Sequence, residues 1–277
     1  MNIAAKAPAD RPPRTALTPS NRNELWARSL AGGVFLASAA VTLSAARSMS
    51  GGMRMPGGWE MSMMWMAMPG QSTIATGGIF LLMWLAMMIA MMLPSSWPML
   101  EVYRKVAGTR GAHPALATTL VGVGYFAVWL AFGALVFGAG FAASTAAMRS
   151  VAFSRAMPLL AGAGLIFAGA YQLSPWKQAC LSHCRSPLMF LAHVFRPGLT
   201  GALRVGVTHG LYCTGCCWAL MLMQTILGVM SLSVMILVAA LIGAEKLWVQ
   251  GPLLARGTGA ASIGLGGFFL LRAAAIV

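Results

Sequence analysis

The chain has 277 residues, of which 58% are apolar and only 9% charged, and its mean hydropathy is +0.76. This balance excludes an ordinary soluble globular domain and implies several membrane-spanning segments. The formal charge of +14 is carried by basic residues scattered singly and in pairs between apolar runs, so it reads as a topology signal, and no nucleic-acid partner is expected.

Residues 1–25 are rich in Pro and Arg, lack apolar periodicity, and read as a disordered basic tail on the cytoplasmic side. Residues 26–277 read as a single transmembrane helical domain. Runs of about 20 apolar residues, the length that crosses roughly 30 Å of hydrocarbon, occur at Ser29 to Ala46, Ile74 to Leu93, Ala115 to Phe141, Met157 to Leu173, Leu203 to Gly228, Leu232 to Ala244 and Thr258 to Val277. The sixth run is short and follows the fifth after "GVMS", as in a tight helical hairpin. The expected fold is therefore all-α, a polytopic bundle of about seven transmembrane helices. The count becomes six under a competing reading in which residues 1–46 are a signal peptide cleaved near "LSAA". Arg104, Lys105, Arg110, Lys177, Arg185, Arg196, Arg204, Lys246 and Arg256 fall on the same side as the basic tail, against Arg47, Arg54, Arg149 and Arg155 opposite, with Arg272 near the end of the last span. Since Lys and Arg are retained in cytoplasmic loops, the N-terminus is expected inside.

The segment between the first two spans, residues 48–70, is expected outside the cytoplasm and carries Met49, Met53, Met55, Met61, Met63, Met64, Met66 and Met68. Thioethers are neutral and soft, which suits Cu(I) in an oxidising compartment where thiols would be lost. An adaptable apolar surface would use the same residue type. In the second span Met83, Met87 and Met91 recur every four residues and share one helical face, a pattern that also serves ordinary packing. Pro94 and Pro98 are read as marking the exit of that helix.

The fifth span contains "HGLYCTGCCWALM". At about 100° per residue, His209, Cys213, Cys216 and Cys217 fall within an arc of roughly 100°, with Met221 just beyond. Three thiols and an imidazole on one face of a membrane helix are not what an apolar core requires, and metal coordination is the reading favoured over thiol redox chemistry or packing. Before this span, in "SPWKQACLSHCRSP", Ser174 can cap a short helix that begins with Pro175 and stops before Pro187. On it Cys180 and Cys184 are one turn apart, with His183 nearby. All five cysteines fall in expected cytoplasmic or membrane segments, which argues against structural disulfides.

Taken together, "MMIAMMLP", "YQLSPWKQACLSHCRSPL", "GLYCTGCCWALMLM" and "GAEKLW" resemble an uncharacterised bacterial family of predicted metal-binding integral membrane proteins, over about residues 74 to 250. The resemblance implies a multi-pass protein of the bacterial cytoplasmic membrane. It carries over Cys180 and Cys184, then Cys213, Cys216 and Cys217, then Glu245 with Lys246. The last two are also readable as an interfacial ion pair that closes the sixth span.

A buried site tolerates little net charge. Cu(I) with one thiolate and neutral Met or His balances to zero, while Zn(II) needs two thiolates, so zinc stays open as the alternative; the methionines favour copper(I). No phosphate-binding loop or phosphorylatable aspartate motif is present, so the expected role is binding and passive transfer of the ion. No catalytic residue is assigned. Rival readings are an intramembrane thiol redox enzyme, haem binding through His113, His183, His193 and His209, and an assembly factor for a membrane metalloenzyme client. A homo-oligomer through small-residue faces such as "GLGG" at 264–267 is the further partner considered.

Overall fold

The computed structural model describes residues 19–49, 51–66, 70–109 and 114–275. The expected tail up to residue 18, Met68 and His113 lie outside the described residues. Apolar runs fold here as helices: α1 (Pro19–Ser48), α2 (Thr73–Thr109), α3 (Pro114–Arg149), α4 (Val151–Leu173), α5 (Pro175–Arg185), α6 (Pro187–Val194), α7 (Gly198–Gly228), α8 (Leu232–Leu247) and α9 (Gly251–Ala274). The all-α expectation holds. Six of them, α1 to α4, α7 and α9, contain stretches long and apolar enough to cross a membrane. The sixth expected span corresponds to α8, whose 16 residues extend only about 24 Å at about 1.5 Å per residue.

The expected exit of α2 at Pro94 is not observed, because the helix runs on through Pro94 and Pro98 to Thr109. Neighbouring helices packed along α2 let it carry both prolines; within that stretch Ser95 and Ser96 both donate to the Met92 carbonyl, at 3.1 and 2.6 Å. The short helix after α4 starts where the sequence places it: the Ser174 hydroxyl accepts from the Lys177 amide at 3.2 Å, with Pro175 in the first turn.

Two close helix contacts set the frame. α3 packs along α7, and a Cβ on Gly124 would lie 2.6 Å from the Leu203 carbonyl oxygen. α4 runs antiparallel to α9, with Gly162 against Gly266, Gly169 against Gly259, and Ser262 donating to the Leu165 carbonyl at 2.8 Å. Small residues let helix backbones approach this closely. α1 leans on α2 with much of its apolar surface exposed.

Residues 52–62 fold as an antiparallel hairpin, β1 (Gly52–Met55) and β2 (Trp59–Ser62), followed by a 3-10 turn at Met63–Trp65. Pro56 and Gly57 occupy the turn, Gly57 has φ +101°, and the Gly58 amide returns to the Met55 carbonyl at 3.2 Å. Only a residue free of Cβ adopts that backbone without cost. The hairpin docks on the start of α4, where Ser154 donates to the Pro56 carbonyl at 2.7 Å and Trp59 Nε1 donates to the Ser154 carbonyl at 2.9 Å. Met55, Met61, Met64 and Trp65 are buried and belong to the same core cluster as Phe80, Trp84 and the methionines of α2.

Candidate metal centre

His209, Cys213, Cys216, Cys217 and Met221 are all buried on α7, so the common face expected from their spacing is turned inward. α5 lies along the flank of α7 at Gly215 and Cys216, at the edge of this face. Gly215 lacks the side chain that would hold the two apart: a Cβ there would sit 2.8 Å from Cys180 Sγ. The approach brings Cys184 Sγ to 3.7 Å from Cys216 Sγ. Cys184, Cys213 and Cys216 then place all three sulfurs within 4.8 Å of one another. Three sulfurs at about 2.3 Å from one ion in a plane would be about 4.0 Å apart. This group could hold a metal ion.

Cys217 is adjacent, its sulfur 3.2 Å from that of Cys216, and Cys216 also bonds to the Cys213 carbonyl at 3.2 Å. Around Cys213 the surroundings are polar and buried. The Tyr125 hydroxyl lies 2.9 Å from its sulfur, and Lys246 Nζ donates to the sulfur at 3.0 Å and to the Ser95 hydroxyl at 3.3 Å. An ammonium against a sulfur in a buried site compensates the charge that the sulfur carries when it binds a metal.

The expected ion pair between Glu245 and Lys246 does not form, because adjacent residues on a helix diverge by about 100°. Glu245 instead meets Lys177 of α5 at 2.6 Å, with both side chains buried, and accepts from Gln172 Nε2 at 3.1 Å. Burial works against the Lys177 charge, yet Glu245 together with the nearby Cys217 and Cys216 sulfurs holds the ammonium above its usual range. Lys177 also donates to the Cys216 carbonyl. Arg185 closes the end of α5 by donating to the carbonyls of Glu245 and Trp248, both at 2.6 Å. Together these bonds fix α5 against α7 and α8.

The remaining sequence candidates are distributed around this centre. Cys180 packs over Gly215 outside the group of three, and burial pushes its thiol up while Lys177 opposes the shift. His183 is exposed, stacked on Tyr212 at 4.3 Å and bonded through Nδ1 to the Ala179 carbonyl at 2.8 Å. His209 is likewise outside the group, stacked on Tyr125 at 5.4 Å. Met87 and Met91 are buried in the core with Met83 packed against it, and Gln224 of α7 donates to Met87 Sδ at 3.2 Å. Lys177, Tyr125, Ser95 and the sulfur-facing role of Lys246 were not signalled by spacing; an isolated lysine among apolar residues was the one available hint.

A family described as PpoB2, copper chaperone, matches residues 81–269. The chain belongs to that family. The match includes the Met87 and Met91 face, α5, the cysteines of α7 and Lys246, and it leaves out α1 and the hairpin. It agrees with the metal-binding resemblance read from the same motifs and specifies copper. No curated protein and no solved structure matches the chain.

Proposed function

We propose that this chain is a multi-pass chaperone of the bacterial cytoplasmic membrane that holds Cu(I) on Cys184, Cys213 and Cys216 and passes it on by ligand exchange. The observation that carries the reading is the meeting of these three thiols from two helices, with the Lys246 ammonium 3.0 Å from one of them. Thiolates at Cys184 and Cys213, one ammonium and one Cu(I) sum to zero, which a low-dielectric site requires; Cys216 stands beside them as a thiol that becomes a full ligand when it loses its proton. Zn(II) prefers four nitrogen, thiolate or carboxylate donors, whereas this group offers three, and the core cluster it belongs to is rich in thioethers, which select Cu(I).

Those thioethers support a route. Met55, Met61 and Met64 of the hairpin segment, Met87 and Met91 of α2, Met221 and Cys217 of α7 all lie in one contiguous buried cluster that also contains Cys213 and Cys216. Soft donors in succession allow an ion to exchange neighbours without becoming bare. Six helices of spanning length support the membrane setting, and delivery to a metalloenzyme client would complete the task.

The test is the metal content of the purified full-length protein beside variants with Ser at Cys184, Cys213 and Cys216. About one copper per chain, lost in the variants, is expected. Zinc in place of copper would reassign the metal. A metal-free protein that cycles a Cys184–Cys216 disulfide would replace the reading with thiol redox chemistry.

A further inference from the structure

Beside the three thiols lies a cavity of about 50 Å³, lined among others by Met99, Cys184, His209 and Lys246, with Arg185 and the exposed Leu247 at its rim. A site for one water needs about 10–15 Å³, so an ion and its ligands fit. Nδ1 of His209 has no hydrogen-bond partner among the described residues although the side chain is 4% exposed. The ring is held by Tyr125 on one side and Phe190 on another, each at a centroid distance of 5.4 Å. A buried ring nitrogen left unpartnered is costly and calls for a ligand. Met99 is buried too, at 2% exposure, and offers the cavity a thioether. Thiol, imidazole and thioether are a donor set suited to Cu(I).

We propose that Cys184, His209 and Met99 form a second copper position, the port through which the ion enters or leaves the thiol site. This inference rests on the copper reading above. Cys184 belongs to both places, so the ion moves without losing its anchor. The Cu–Sγ bond to Cys213 breaks as a bond to an imidazole nitrogen of His209 forms, Met99 Sδ replaces Cys216 Sγ, and no electron is transferred. Cu(I) with the Cys184 thiolate is neutral, and the freed Cys213 thiolate returns to the Lys246 ammonium, so each half of the step stays balanced. The port opens beside α5 and α6, where a soluble acceptor could reach the rim at Arg185.

The test uses the full chain in detergent with ¹⁵N-labelled histidine, titrated with Ag(I) as a diamagnetic soft ion, and the copper-loaded protein challenged with a water-soluble Cu(I) chelator. The His209 side-chain nitrogen is expected to shift on Ag(I) addition. His209→Ala and Met99→Leu are each expected to keep one copper yet release it about tenfold more slowly, equivalent to about 1.4 kcal/mol in the barrier. An unshifted His209 nitrogen, or wild-type release from both variants, overturns the port. A wild-type protein that takes up no copper at all removes the functional reading itself, a result distinct from bound copper with unaltered release. Because the nitrogen shift is read on unmutated protein, a variant that fails to fold does not shield the proposal.

Discussion

Lys246 shows what a single residue contributes when its charge is buried against sulfur. Its side chain is 6% exposed, and its two recorded acceptors are a serine hydroxyl and the Cys213 sulfur. Without that ammonium, two thiolates and one Cu(I) would leave an uncompensated negative charge where water is scarce. Lys246→Met is therefore expected to weaken Cu(I) binding by about 10- to 100-fold, the loss typical of residues that support metal ligands. Lys246→Arg, which keeps the charge, is expected to lose less. Competition against a chelator of known affinity reads both variants, and equal binding by Lys246→Met and the wild type would remove the charge argument. The α7 half of the centre was legible in the sequence because His209, Cys213, Cys216 and Cys217 share one helix and one period. Lys246, Tyr125 and Ser95 were not, since residues that meet across three different helices leave no spacing to read.

At the scale of elements, α5 supplies the third thiol and is held by a buried pair. Lys177→Met strands Glu245 at 1% side-chain exposure, and breaking such a pair from one side costs about 3–5 kcal/mol. Thermal unfolding in detergent should show this loss, and Lys177→Met combined with Glu245→Leu should recover most of it; a double variant no better than the single would place the cost elsewhere. The α3–α7 contact gives an internal control. Gly124→Ala drives a methyl against the Leu203 carbonyl and should destabilise by about 1–3 kcal/mol, whereas Gly122, with nothing within 4 Å of a built Cβ, should gain up to about 1 kcal/mol as Ala from helix propensity. Element starts such as Ser174 and Pro175 were readable because capping chemistry is local. The continuation of α2 past Pro94 was not, because it depends on packing against neighbouring helices that outweighs the local preference of proline.

Across the whole molecule, conducting copper and filling space make the same demand on the methionines of the hairpin and α2, burial in one cluster. Their density was plain in the sequence, but their inward orientation depends on a docked hairpin that no helical period encodes. The two roles separate under substitution by leucine, which keeps volume and apolarity and removes the sulfur. Replacing Met61 and Met64, buried at 1% and 7% exposure, should cost less than about 1.5 kcal/mol per site, because volume-conserving swaps are well tolerated in cores. If the thioethers form a relay, the Met61→Leu, Met64→Leu protein in vesicles will unfold at nearly the wild-type temperature and bind one copper at the thiols, yet load it markedly more slowly from the hairpin side. If they only pack, loading and stability will both match the wild type. A parallel loss of stability and loading would mean that leucine disturbed the hairpin, and Met87→Leu, one helix inward and bonded by Gln224, then decides between conduit and filler, because slower loading there cannot arise from hairpin undocking.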